Sequence, residues 1–322
     1  MEQKIPGYYN MLGSTADSIY WLFRYLERIE NTSILIEAGF QSALTSHKNS
    51  LNEWESILKT LGMEDYFDTE SKNNSIDIVN FLLRNKENPN SILNLLSKIK
   101  YNAKISRVAI TKEVLETINL LCIEINSKLK RKILIKDVYI LLLKIREGIS
   151  LVVGFFYGTM LRNEIFNFCL LGMFIERFDN TARILNVRYY SLLPNVNVKN
   201  NLFEEKQWEA ILRSISAYKS FMWKNQNKIS VEAILDFLIF NEKMPRSLKF
   251  CVNVILEKLK LILNKKTIKS KSYIKANEIY KKINFRKNKL SNDFGLHKHL
   301  NELITSNILL GNHIEEEFNF HK

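Results

Sequence analysis

Apolar residues recur at steps of three and four along nearly every long segment of this chain, the spacing that lines one face of an α-helix. In SIYWLFRYLERIENTSILIEAGF the positions Ile19, Leu22, Leu26 and Ile29 keep that step. LNEWESILKTLG, IDIVNFLLRN, NSILNLLSKIKYNAKISRVAI, KEVLETINLLCIEINSKL and VYILLLKIREGISLVVGFFYG follow in the same manner. A further helix is expected over residues 163–192, ending before Pro194. EEKQWEAILRSISAYKSFMWKN reads as one helix, SVEAILDFLIF as the next and RSLKFCVNVILEKLKLIL as a third. Two more, about 272–288 and 293–318, finish the chain.

Start signals punctuate these segments. Ser14 with Asp17, and Ser50 with Glu53, resemble capping boxes. Ser75, Thr111 and Ser230 stand where N-caps belong, Asp137 suits a helix start, and Pro89 and Pro245 suit first turns. Strand-like alternation is not found. The pattern therefore predicts an all-α chain of roughly ten to twelve helices. The polar stretches Met63–Asn74 and Pro194–Leu202 are the expected hinges.

One pattern repeats. At a fixed offset of 149 residues, FRYLERIENT overlies GMFIERFDNT. Glu27-Arg28 falls on Glu176-Arg177, Glu30 on Asp179, and Asn31-Thr32 on Asn180-Thr181. Two amphipathic helices always share a period, but a shared Glu-Arg, acid and Asn-Thr set is a stronger signal. The repeat implies two related helical halves, about 11–159 and 160–322, in one domain spanning 1–322 around a shared core.

Helical spacing puts Asp17, Arg24, Glu27, Arg28 and Asn31 on one polar stripe, and Glu176, Arg177, Asn180 and Arg183 on another. A solvated outer face is the ordinary home of such stripes. Here Trp21 and Tyr25 flank the first, Cys169 and Phe174 flank the second, and Lys is absent from both. Arg is the cation suited to bidentate pairing with a carboxylate. The stripes are therefore expected to meet in the interior, pairing Glu27 with Arg177 and Arg28 with Glu176. Such pairs fix helix register; alternatively, the Arg groups bind an anionic substrate and a Glu acts as base.

Composition narrows the choice. Only 10 Gly and 4 Pro among 322 residues fit long helices. The net charge of +13 suggests an anionic partner. Yet the basic C-terminal third mixes Lys with Ile and Tyr at helical spacing and carries no nucleic-acid-binding motif, so solvated helix faces explain it and nucleic acid is disfavoured. Cys122, Cys169 and Cys251 lie far apart in apolar patterns and read as small core residues of a reducing cytoplasm. The N-terminus lacks a signal-peptide core. The most apolar stretch, Ile133–Met160, is interrupted by Lys136, Asp137, Lys144, Arg146 and Glu147; it reads as buried core, not a membrane span. No phosphate-binding glycine loop occurs, so no nucleotide cofactor is expected in this chain. His297, His299 and His313 lack the spacing of a metal site.

MLGSTADSIYWLFRYLERIENTSIL and GMFIERFDNTARILNVRYYSLLP resemble the two signature segments of the alpha-E family, bacterial all-helical proteins named for a Glu-Arg motif. NPNSILNLLSKIKYNAKISR, FFYGTMLRNE, LDFLIFNEKMPRSLKFCV and GLHKHLNELI extend the resemblance over nearly the whole chain. The family pattern has Arg where Ser14 stands, Gly-Arg before each Glu-Arg (here Phe23-Arg24 and Gly172-Met173), and Asn-Thr-Ala-Arg, kept only at Asn180–Arg183. Each half thus lacks a different Arg, and Lys98 and Lys104 stand where Arg is common. The family resembles a companion of circularly permuted ATP-grasp ligases and transglutaminase-like proteins. The resemblance thereby implies a part in a peptide- or amide-bond-forming system, as an accessory binding a ligase or its peptide substrate. The rival expectation is an enzyme using Glu27 or Glu176 as base beside Arg28 and Arg177; a third is a basic scaffold for anionic polymers.

Overall fold

The computed structural model describes residues 13–45, 50–67, 74–192, 201–226, 229–264, 269–285 and 293–320. Among them are thirteen α-helices and no strand. These are α1 (Gly13–Thr45), α2 (Ser50–Leu61), α3 (Ser75–Arg84), α4 (Ile92–Ile105), α5 (Lys112–Leu129), α6 (Ile135–Thr159) and α7 (Glu164–Leu192). The rest are α8 (Asn201–Ser214), α9 (Tyr218–Lys224), α10 (Val231–Leu235), α11 (Leu248–Leu263), α12 (Lys271–Phe285) and α13 (Asp293–Glu317). A 3₁₀ turn, Glu64–Tyr66, follows α2, and a π turn, Asp236–Phe240, extends α10.

The two long Glu-Arg helices, α1 and α7, pack on each other at the centre. Helices α2, α4, α6 and α8 lie against α1, whereas α11 and α13 lie against α7 and are bridged by α12. The predicted apolar faces supply the core: Ile19, Leu22, Leu26 and Ile29 are buried, as are Phe168, Leu171, Ile175, Phe178 and Ala182. One close approach sets the α1–α7 distance. A Cβ on Gly172 would stand 2.2 Å from the Tyr20 carbonyl oxygen, so only glycine fits there.

The helix count exceeds the expected ten to twelve because the segment after Pro194 breaks in two. Ser216 takes the left-handed conformation at φ 55°. Ala217 N then bonds Leu212 O at 2.7 Å, closing α8 before α9 begins.

Several start signals are displaced. Asn74, not Ser75, caps α3, accepting from Ile76 N at 3.3 Å. Ser14 lies inside α1, where its carbonyl accepts from Ser18 Oγ. Thr111 holds the N-cap position of α5, but its hydroxyl pairs with that of Thr159 at 2.7 Å. Asp137 lies in the first turn of α6, two residues after its start. Pro89 and Pro245 lie outside their helices, each two residues before a capping serine. Ser91 accepts from Asn94 N at 3.3 Å, and Ser247 from Phe250 N at 3.1 Å. Ser230 caps α10 as expected. Residues 68–73 and 193–200 lie outside the described residues, taking half of the first expected hinge and most of the second; Met11 and Leu12 of the repeat lie outside them too.

The expectation that residues 133–160 are buried core holds for one side of the helix only. Helix α6 buries one side, with Val138, Leu141, Leu142, Ile145, Ile149, Val152 and Phe156. Its other side exposes Ile140, Leu143, Leu151 and Phe155. The four-residue step alone could not distinguish a face covered by this chain from one left open. Among the described residues no helix is long and apolar enough to cross a membrane.

Candidate functional site

Helix α1 brings Arg24, Glu27, Arg28 and Asn31 to the α7 contact, and α7 answers with Glu176 and Arg177. Both carboxylates are buried, Glu27 at 3% and Glu176 at 2% exposure. Arg177 grips Glu27 in a two-pronged contact, Nε to Oε1 at 2.9 Å and Nη2 to Oε2 at 2.7 Å. Arg28 grips Glu176 likewise, Nε to Oε1 at 2.5 Å and Nη2 to Oε2 at 3.0 Å. The two pairs cross between the helices in the sense the repeat predicts.

Each glutamate also takes a second guanidinium, and these come from unlike places. Glu176 accepts from Arg24 Nε at 3.0 Å, one turn before Arg28 on α1. Glu27 accepts from Arg246 Nη1 at 3.1 Å. Arg246 also donates to Asn31 Oδ1 at 2.8 Å and meets Glu30 Oε2 at 3.1 Å. Sequence reasoning left Arg246 out of the cluster, though FNEKMPRSLKFC contains it.

The turn carrying Arg246 explains how it gets there, and it has a counterpart. Asn241 Oδ1 accepts from Lys243 N and Met244 N at 2.8 and 3.1 Å. This Asx turn leads through Pro245 to the capping Ser247. Before α4, Asn85 Oδ1 accepts from Glu87 N and Asn88 N at 2.7 and 3.1 Å, and Pro89 leads to the capping Ser91. The residue between proline and serine points at the cluster in both turns. In one it is Arg246; in the other Asn90 accepts from Arg28 Nη1 at 2.8 Å. The recurring Asn-x-x-x-Pro-x-Ser of 85–91 and 241–247 was the signal that could have found Arg246. Thr181 Oγ1 pins the second turn to α7 by donating to Arg246 O at 2.8 Å.

The remaining expected residues divide. Asn31 joins the cluster through Arg246 and donates to Glu27 at 3.5 Å. Arg183 does not reach either glutamate; it pairs with Asp179, one turn back, at 2.6 Å. Asn180 Nδ2 is buried with no hydrogen-bond partner among the described residues. The aromatic neighbours take part: Arg24 lies over Trp21 at 4.4 Å, Arg28 over Tyr25 at 5.9 Å and Arg177 over Phe174 at 4.9 Å.

The electrostatics follow from this geometry. Burial works against the charged form of Glu176, but Arg28 and Arg24 outweigh it and pull its pKa down to about 2. Glu27 is likewise lowered: burial opposes ionisation and the Arg177 and Arg246 guanidiniums overcome it. Burial pushes the Tyr20 phenol up to about 12, and Arg24 donates to its oxygen at 3.4 Å. Beside the cluster, burial raises the Cys251 thiol to about 12. All three cysteines are free and buried, so none is a poised thiolate.

The centre is thus a fixed, charge-paired clasp with its carboxylate oxygens already taken. A cleft of about 350 Å³ lies elsewhere, between α1, α6 and the α8–α9 turn, lined by Glu37, Arg146, Arg213, Tyr218 and Lys219 among others. None of the Glu-Arg residues lines it. Among the described residues no group of three or more His, Cys, Asp or Glu could hold a metal ion.

A family model named Alpha-E, described as a predicted alpha-helical domain with a conserved ER motif, matches residues 11–318. Neither the curated proteins nor the solved structures contain a match to the chain.

Proposed function

The chain belongs to the Alpha-E family, and from that premise we propose that it is an accessory, binding component of a peptide- or amide-bond-forming system. In this reading an ATP-grasp or transglutaminase-like partner supplies the chemistry, and this protein binds that partner or its peptide substrate. One observation carries the non-catalytic half of the reading. Both buried glutamates are gripped by two arginines each and held ionised. A general base works best with a proton affinity near the working pH. These carboxylates are displaced the other way, which suits a structural clasp and not proton transfer. The choice of partner rests on the family resemblance.

We also read residues 11–159 and 160–322 as related halves of one domain. The crossed pairs and the two Asn-x-x-x-Pro-x-Ser turns support that reading. The halves differ in what completes each glutamate, Arg24 for one and Arg246 for the other.

The test is co-purification with an ATP-grasp ligase encoded beside this protein, and a ligation assay with and without it. A stable complex that raises ligation is expected. Unchanged ligation with no complex would end the proposal. The enzymatic alternative has its own signature: Glu27→Gln or Glu176→Gln would abolish a turnover while leaving the melting temperature in place.

A further inference from the structure

Twelve of the twenty large hydrophobic side chains exposed among the described residues fall between Val108 and Leu161. They concentrate on the outer faces of the α5–α6 hairpin. Ile140 is 57% exposed, Tyr139 59%, Leu143 37%, Leu151 57% and Phe155 40%. An exposed apolar stripe of this kind, broken at its middle only by the ion pair Lys144–Glu147, marks a surface that something covers.

The order of residues along α6 says what fits. Glu147 lies at the middle of the stripe. Four residues to either side stand Leu143 and Leu151, seven to either side Ile140 and Gly154, eight to either side Tyr139 and Phe155, eleven to either side Lys136 and Gly158. Steps of four, seven, eight and eleven keep one helix face. A second α6 laid antiparallel across the first, with a two-fold axis at Glu147, sets Leu143 on Leu151, Tyr139 on Phe155 and Ile140 on Gly154. A Cβ built on Gly154 or Gly158 meets nothing within 4 Å, so both glycines leave room for an incoming side chain. The two Glu147 carboxylates approach at the axis, and each already holds Lys144 at 2.9 Å. The centre becomes a ring of alternating charge.

Helix α5 packs beside α6. Gly148 faces Leu121, which fixes the register of the hairpin. Leu120 and Ile123 on α5 are exposed too, at 67% and 63%. An isologous two-fold contact requires such a self-matching pattern, and a surface evolved for an unlike partner does not.

We propose that the protein forms a two-fold dimer through the outer faces of α5 and α6, with α6 antiparallel to itself about Glu147. The proposal stands independently of the accessory reading above.

Sedimentation equilibrium of the full chain tests it. The wild type is expected to be a dimer at micromolar concentration. Leu151→Glu should raise the dissociation constant by about 30-fold or more, the usual loss when an interface anchor is removed. It should leave the far-UV spectrum unchanged. Leu309→Glu, an exposed substitution on α13, should leave the dimer intact. Glu147→Lys should weaken the dimer by placing four cations at the axis, and Lys144→Glu with Glu147→Lys together should restore it. Mixed Leu143→Cys and Leu151→Cys chains should cross-link, and Leu143→Cys alone should not. A wild type that stays monomeric to about 100 micromolar overturns the proposal. So does a monomer that covers this face only with vesicles or with a ligase, or a cross-link between two Leu143→Cys chains.

Discussion

Arg28 holds Glu176 across the central helix contact with both prongs of its guanidinium, at 2.5 and 3.0 Å. The pairing keeps the carboxyl pKa near 2, below its ordinary 4.5. Its contribution to stability is complete above about pH 4.5 and lost as pH falls towards 2, amounting to about 3 kcal/mol. Glu176→Gln should flatten the stability–pH curve across that window. At pH 7 it leaves the half-buried Arg24 and Arg28 without their counter-charge, at a cost of about 3 kcal/mol. Chemical denaturation from pH 2 to 7 measures both; parallel curves for the two proteins would refute the assignment.

Arg246 joins three acceptors on α1, those of Glu27, Glu30 and Asn31. Arg246→Asn recreates the residue found at Asn90 in the other turn, yet it leaves Glu27 with Arg177 alone. A loss of about 2–4 kcal/mol is expected. Arg246→Lys should recover less than half, because a single ammonium cannot span the three groups. Full rescue by lysine in urea melts would show that charge alone matters at this position.

Gly172 sits where α7 meets the Tyr20 carbonyl. Gly172→Ala puts a methyl group 2.2 Å from backbone that cannot swing aside, so α1 and α7 must separate. The expected cost is about 3 kcal/mol or more. Gly295→Ala, in open space on α13, should instead gain about 0.5 kcal/mol from helix propensity. Thermal melts of the two variants moving in the same direction would contradict this account.

Ser216 ends α8 with φ 55°, a conformation that strains any residue with a Cβ. Ser216→Gly should raise stability by about 0.5–1 kcal/mol. A melting temperature that falls would mean the break between α8 and α9 is held by something other than this backbone state.

Much of the architecture was legible in the sequence because helix periodicity and the doubled Glu-Arg segment are local signals. They identified the all-α class and the pairs Glu27–Arg177 and Arg28–Glu176. What escaped was set by tertiary placement. Arg246 enters the cluster from a turn more than two hundred residues after Glu27, and no spacing rule connects the two. Arg183 keeps helical register with Arg177 but is satisfied by Asp179 on its own helix, so sharing a stripe did not mean sharing a partner. The α8–α9 break turns on the single left-handed Ser216, whose sequence neighbourhood reads as ordinary helix. The open side of α6 has the same amino-acid pattern as a covered one.

The long reach of Arg246 bears on how the protein is made. While a ribosome is still translating the segment before Pro245, α1 and α7 have emerged, yet Glu27 holds only Arg177. The second cation arrives only after residue 246 has been added. Nascent chains stalled short of that point should therefore be protease-sensitive at α1, and those stalled beyond it should resist.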